Sequence, residues 1–337
     1  MPAPVDATNV YAATGPAYLS EAVTGDRRLV YVPNGRSNTL TVIDQRTQRV
    51  LRTVAVGLQP EHVVPSYDLR TLWVTSDAGN SLARIDPRTG RVTATVHVRD
   101  PYNLYFTPDG RYALVVAERM QRLDFRDPQT MALRHTMSVR CPGIDHLDFA
   151  GSGRYFLASC EFGRRLIKVD TMRRRVVATL QLPAGSSPQD VRVAPNGHTF
   201  YVADQGANGV WRVDGARLRD YRLIHTGTGA HGLYPSRDAR LLYVTNRRAG
   251  SISVLDFRTG THVATWQLPA GSSPDMGGVN VEGTRLWLAA RYSDVIYIID
   301  TRAGRLVTTV RVGLGPHGLA VFPQPGRYSL GHTANMR

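Results

Sequence analysis

Three histidines, His146, His231 and His317, stand 85 and 86 residues apart, and each opens a short run of alternating apolar residues. Imidazole is the commonest protein ligand of transition metals and the side chain best matched to proton transfer near neutral pH, so histidines at a regular interval raise both chemistries. Glu61, Asn103, Asp190 and Met276 fall on the same register, with His62 one residue beyond Glu61 and Asp275 one before Met276. Carboxylates complete histidine sites for Zn, Cu, Mn or Fe. His146, His231 and His317 are therefore candidate ligands of a divalent transition metal, with Glu61 or Asp190 beside them. For acid–base work the candidates are His146 and Glu61, and the planar fork of Arg291 suits a carboxylate ligand. The implied ligand is a small, anionic molecule. Hydrolase or lyase chemistry suits such a set, because neither requires an organic cofactor.

A second series keeps the same period: Asn34, Ser76, Glu118, Cys160, Asp204, Asn246 and Arg291, with Asp77 and Glu161 immediately after their neighbours. Both series belong to a repeat. A strand ending in Asp, a polar turn and another strand recur around Asp44, Asp86, Asp127, Asp170, Asp214, Asp256 and Asp300, at intervals of 41 to 44 residues. That length holds four short strands and their turns. In the sixth copy, His231 to Tyr234, Leu241 to Asn246, Ser251 to Asp256 and His262 to Trp266 alternate β-branched and aromatic residues between Gly, Asp and Ser signals. The turn aspartates have a structural role as acceptors for turn N–H groups.

Tyr243-Val244-Thr245-Asn246 is a YVTN tetrapeptide, with weaker copies at Tyr31 to Asn34, Trp73 to Ser76 and Tyr201 to Asp204, and Gly315-Pro316-His317-Gly318 accompanies them. On these motifs the chain resembles the YVTN/YncE-like β-propeller family. That family is similar to the haem d1 domain of nitrite reductases and, more distantly, to lactonase-type propellers. The resemblance implies an all-β fold, a seven-bladed propeller of four-stranded antiparallel blades, with an incomplete eighth blade as the alternative because His317 to Val321 reads as an additional inner strand. Ring closure predicts that this segment pairs beside Leu29 to Asn34 and displaces Tyr18 to Val23. The domain organisation is an N-terminal extension (1–16), one propeller domain (17–322) and a C-terminal tail (323–337) that could share in closure.

In such a ring the first series opens the inner strands and the second ends the strands beside them, so both meet at one funnel. His62, Asn103, Asp190, Glu118, Cys160, Asp204 and Asn246 are thus candidate ligand-binding residues around the metal candidates. Within the family, Pro-His-Gly at this position also serves structure alone, the ring bonding a neighbouring blade. Cys160 ends a strand whose partner begins near His146, and Cys141 lies just before. A Cys–His nucleophile, a Cys/Cys/His metal corner and a disulfide are all geometrically open, and two inert thiols are the favoured reading. The d1 resemblance suggests an axial histidine, but no Cys-x-x-Cys-His attachment motif is present, which argues against haem. Gly-Ser-Ser-Pro at 185–188 and 271–274 lacks nucleophile-elbow spacing, and no phosphate loop or dinucleotide fingerprint occurs.

The net charge is +14, from 41 Lys and Arg against 27 Asp and Glu, and Lys168 is the only lysine. Nucleic-acid binding is a third reading behind a small-molecule ligand and a protein-interaction scaffold, because the arginines are scattered through turns rather than gathered in a groove. No eighteen apolar residues run together and no leader pattern opens the chain, so the expectation is no membrane association and a cytoplasmic protein, or an extracytoplasmic one if the gene starts upstream.

Overall fold

Each repeat becomes one antiparallel sheet because its four segments alternate with a period of two and are joined by turns too short for any other path. In the computed structural model, which describes residues 2–333 and 335–337, there are seven such four-stranded sheets. The sixth blade, from the axis outward, is Ala230–Pro235, Leu241–Asn246, Ser251–Asp256 and Thr261–Gln267. Burial falls along that order: the two inner strands are almost wholly buried, whereas the outermost is exposed nearly throughout. The core therefore lies between blades. Val64, Trp73 and Leu82 of the second blade pack against Leu104, Phe106 and Val115 of the third, each such side chain contributing roughly 1.5–3 kcal/mol by leaving water.

The ring closes as expected. Ala320–Phe322 supplies the innermost strand of the first blade, antiparallel to Leu29–Asn34, with Leu29 opposite Phe322 and Tyr31 opposite Ala320. No eighth blade forms among the described residues, and the displaced segment is a 3-10 turn at Glu21–Val23. The turn aspartates do what their position predicts: Asp300 Oδ1 accepts from the backbone N–H groups of Arg302 (2.9 Å) and Ala303 (2.8 Å).

Two terminal segments pack onto the base, the face that carries the turns between first and second strands. Tyr11 of the N-terminal extension donates its hydroxyl to the Val193 carbonyl (2.7 Å). The tail after Phe322 is a hairpin rather than a further closing strand. Ser329 bridges Met336, Tyr328 stacks on Tyr67, and the turn climbs beside the inner strand of the third blade, where His332 N–H meets the Leu104 carbonyl (3.0 Å). Gly331 makes that approach possible. Its φ is +101°, and a Cβ there would stand 2.4 Å from the Leu104 carbonyl oxygen. Among the described residues no helix is long and apolar enough to cross a membrane.

Candidate functional site

Irregularities at the start of the inner strands build the site. Register shifts fall between Pro60 and Val63, Ile144 and Leu147, Pro188 and Val191, and Ala230 and Leu233. In a regular strand adjacent side chains face opposite ways. A bulge lets two neighbours serve one side, here Glu61 with His62 and Asp145 with His146. The bulge N–H that loses its ladder partner is caught by a hydroxyl on the second strand: His62 N–H by Thr75 (3.0 Å), His146 N–H by Ser159 (3.1 Å), Gly232 N–H by Thr245 (2.7 Å). The threonine of the YVTN motif is thus a strut for the hub.

Five imidazoles meet at the axis: His62, His146, His231, His317 and, from the C-terminal hairpin, His332. They fall into two groups. His62, His146 and His332 bring ligand atoms within 4.8 Å of one another, and His231, Asp275 and His317 do the same. The trio anticipated from the spacing is therefore divided, with His146 in one group and His231 and His317 in the other. The trio spans two register positions: Ser159 takes the N–H of His146 but Thr245 takes that of Gly232, so His146 stands level with His62, whereas His231 stands one residue earlier, level with Glu61.

In the first group, His62 Nδ1–H donates to the Tyr102 carbonyl (3.0 Å) and His146 Nδ1 meets Asp145 Oδ1 (2.7 Å). Both Nε2 atoms are buried without a hydrogen-bond partner among the described residues. Because Asn103 Oδ1 takes the Leu104 N–H (2.8 Å), its amide NH₂ is the donor to His332 Nδ1 (3.0 Å). That puts the proton of neutral His332 on Nε2, 3.5 Å from Asp190 Oδ1. Burial, then neighbouring imidazoles, holds His62 and His332 well below the ordinary histidine range, so both are neutral at pH 7. Burial also presses on His146, but the Asp145 carboxylate outweighs it and the net shift is upward.

The second group already holds a cation. Arg247 Nε lies 2.7 Å and Nη2 2.6 Å from Asp275 Oδ1, which His231 Nδ1 also approaches at 3.1 Å. His317 Nδ1 sits 2.9 Å from Glu61 Oε2, and Arg291 lies 3.5 Å from the other oxygen of Glu61. Burial opposes ionisation of Glu61, but His317 and Arg291 together hold it down at about 2. Gly318 is demanded by this packing, since a Cβ would fall 2.2 Å from the His62 ring.

The second series divides by one residue of register, and a one-residue step reverses a side chain. Asn34, Ser76, Cys160, Asp204 and Asn246 are the last residues of their strands. Asn246 donates to Ser251 and Ser253 (both 3.1 Å), Asp204 accepts from Trp211 Nε1 (2.8 Å), and Cys160 is in a disulfide with Cys141. These correct the expectation: Asp204 and Asn246 brace their own blades, and the cysteines are neither inert thiols, nor a nucleophile, nor a metal corner. Glu118 and Arg291 come one residue later, level with Gly35, Asp77, Glu161, Gln205 and Arg247. This ring forms the mouth above the histidines, acidic on the second to fourth blades and basic on the sixth and seventh.

Burial first, then Asp145, Glu161, Asp77 and Asp100, pushes Glu118 up to about 8 from 4.5. Burial and Asp100 raise Asp77 to about 7. A carboxyl raised in the folded state keeps a proton that the unfolded chain releases, so stability falls as pH rises from about 4.5 to about 8. Glu118→Gln is expected to stabilise the metal-free protein at pH 9 by roughly 1–3 kcal/mol, discounted for partial exposure, and to leave it unchanged at pH 5. Urea melts at the two pH values measure this. Equal midpoints at pH 9 would refute it.

Seven antiparallel blades closed by the C-terminal strand, with a polar hub at their axis, define a β-propeller. The chain belongs to the YNCE-like β-propeller family, which its residues 4–327 match. His332 lies beyond the matched segment. No curated protein matches the sequence. Among solved structures it is similar to Kuenenia stuttgartiensis hydrazine synthase, at 19% identity over 82% of this chain and 93% of that one, with a TM-score of 0.71. A functionally unknown protein from Desulfotomaculum acetoxidans gives 15%, 86%, 99% and 0.71. The dihydro-haem d1 dehydrogenase NirN gives 14%, 94%, 78% and 0.66. At such identities the likeness is one of fold.

Sequence reasoning missed His332, Asp145, Tyr102 and Arg247. Asp145 and Arg247 adjoin residues already singled out, and bulge or register hid them. His332 stands outside the repeat, so no alignment of repeats could place it.

Proposed function

We propose that the protein binds one transition-metal ion, of the Zn or Cu class, at the hub through His62, His146 and His332, and presents it to a small ligand entering from the mouth. The observation that carries this reading is the pair of buried imidazoles, His62 and His146, each with Nδ1 against an oxygen, the Tyr102 carbonyl or the Asp145 carboxylate, and Nε2 unpartnered, in a group with His332 whose ligand atoms lie within 4.8 Å of one another. A carboxylate or carbonyl on Nδ1 is the arrangement that fixes the tautomer and raises the basicity of metal-bound histidine. Three neutral nitrogen ligands leave one position open, as in catalytic rather than structural sites. His332 would join them as the Nδ1–H tautomer, with the Asn103 amide turned so that its oxygen accepts that proton and Nε2 is free to ligate. Ring centroids 4.4 to 5.5 Å apart leave no slot for a macrocycle between these imidazoles, which favours a bare ion over haem.

A bound ion would supply Lewis acidity or an activated water. The chain's own residues orient and exchange protons around it: Asp145 and the Tyr102 carbonyl hold the ligating rings, and Glu118 is the carboxyl able to carry a proton near neutral pH. Hydrolase or lyase chemistry fits this set. The disulfide favours an oxidising compartment. Elemental analysis of untagged protein by plasma mass spectrometry is expected to find close to one Zn or Cu per chain. Less than a tenth of an equivalent, persisting after incubation with Zn, Cu, Co and Ni salts, would overturn the reading.

A further inference from the structure

The mouth is electrically divided. Asp77, Glu118 and Glu161 follow the second strands of three consecutive blades, and Arg247 and Arg291 hold the equivalent places on the sixth and seventh. Asp145, almost fully buried just beneath the acidic arc, has carboxylate oxygens with no well-directed hydrogen bond among the described residues. Its one close contact is His146 Nδ1. Glu118 makes no compensating ion pair among the described residues, and Arg119 is committed to Asp77 (3.1 Å) and Asp100 (2.8 Å). Three carboxylates facing one space with too few cations is a repulsive arrangement, and a ligand cation relieves it. On the other side a cleft of about 520 Å³ opens over Glu61 and Arg291 and reaches Arg36. There the Arg291 fork is available to an anion at the cost of only a long contact, 3.5 Å to Glu61, whereas Arg36 is paired with Asp294 (3.0 Å) and Arg247 with Asp275. Tyr102 immediately precedes the inner strand of the third blade, its ring edge-on to His62 (5.2 Å) and His146 (6.1 Å).

We infer that the mouth selects a small zwitterion, an amino acid or ω-amino acid whose ammonium group rests on Glu118 and Glu161 and whose carboxylate reaches Arg291, with its carbon chain over Tyr102. This narrows the anionic ligand expected from the sequence: the net charge of +14 describes the whole surface, whereas selection depends on the few charges that face the ligand. The inference deepens the proposed metal-site function, because the ligand so held lies above His62 and His146. The contacts themselves involve no metal.

The test is calorimetric titration with glycine, β-alanine, 4-aminobutanoate and 6-aminohexanoate, with propylamine and propanoate as single-charge controls, on protein as purified and after chelation. At least one zwitterion is expected to bind tenfold or more tightly than both controls. Glu118→Gln with Glu161→Gln should abolish the preference over propanoate, and Arg291→Gln the preference over propylamine. No zwitterion exceeding the controls, in either preparation, overturns the inference even if the metal is present. Selective binding by a protein that holds no metal leaves it standing and removes only the metal reading.

Discussion

Replacing His146 with alanine is expected to reduce bound metal from about one equivalent to below a tenth, with affinity lowered more than 100-fold, and His62→Ala is expected to do the same. Each change removes one of three nitrogen donors, and loss of a mere outer-shell partner already costs about 10–100-fold. Asp145→Asn supplies that milder comparison: His146 keeps its ring but loses the carboxylate 2.7 Å from Nδ1, so a loss of about 10–100-fold is expected. His97→Ala, an exposed position on an outer strand, is the control that leaves metal unchanged. The pH dependence has a definite sign. The raised affinity of His146 for a proton makes protons compete with the metal, so binding weakens as pH falls below neutrality. Competition titration with a chromogenic chelator reads all four variants. Full metal retention in both His146→Ala and His62→Ala would remove the hub from consideration as a coordination site.

Gly331→Ala is expected to expel the C-terminal hairpin while leaving the propeller closed. The new Cβ would stand 2.4 Å from the Leu104 carbonyl oxygen and 2.5 Å from Tyr105 Cα. Those atoms belong to the inner strand of the third blade, held in its sheet, so the hairpin must move. The residue also adopts φ +101°, a region costly for any side chain with a Cβ. Undocking separates Asp148 from Asn335 (2.8 Å) and Arg337 (2.9 Å), leaving that buried carboxylate to the N–H groups of Phe149 and Val193. The combined loss is roughly 2–4 kcal/mol. Circular dichroism should stay that of a β protein, because closure rests on Ala320–Phe322, upstream of the hairpin. Limited proteolysis should cut after residue 322, and metal affinity should fall at least tenfold as His332 leaves. His332→Ala, which keeps Gly331 and the docked tail, separates the two effects: the same metal loss without the proteolytic cut assigns the loss to the imidazole. Unchanged metal in both variants would show that His332 is no ligand.

The repeat was legible because it is local. Strand alternation, turn aspartates and YVTN cores recur every 41 to 44 residues, and each follows from physics that acts within a few residues along the chain. Closure was legible too, since an additional inner-strand segment at one end of the chain has one unpaired edge to meet. Height was also determined: Glu61, His62, His146, His231 and His317 had to gather at one end of the axis once the blades were counted.

Direction was not. Intervals of 85 and 86 residues hid a one-residue difference in register: the hydroxyl strut takes the N–H of His146 in the fourth blade but of Gly232, not His231, in the sixth, and this divided the histidines that the spacing had grouped. A single residue of register turned Asp204 and Asn246 into their own blades while Glu118 and Arg291 stayed at the mouth. The Cys141–Cys160 bond and His332 depend on contacts between segments that share no repeat position. Periodicity reports what every blade has in common, whereas a site is made where blades differ and where a segment outside the repeat fills the space they enclose.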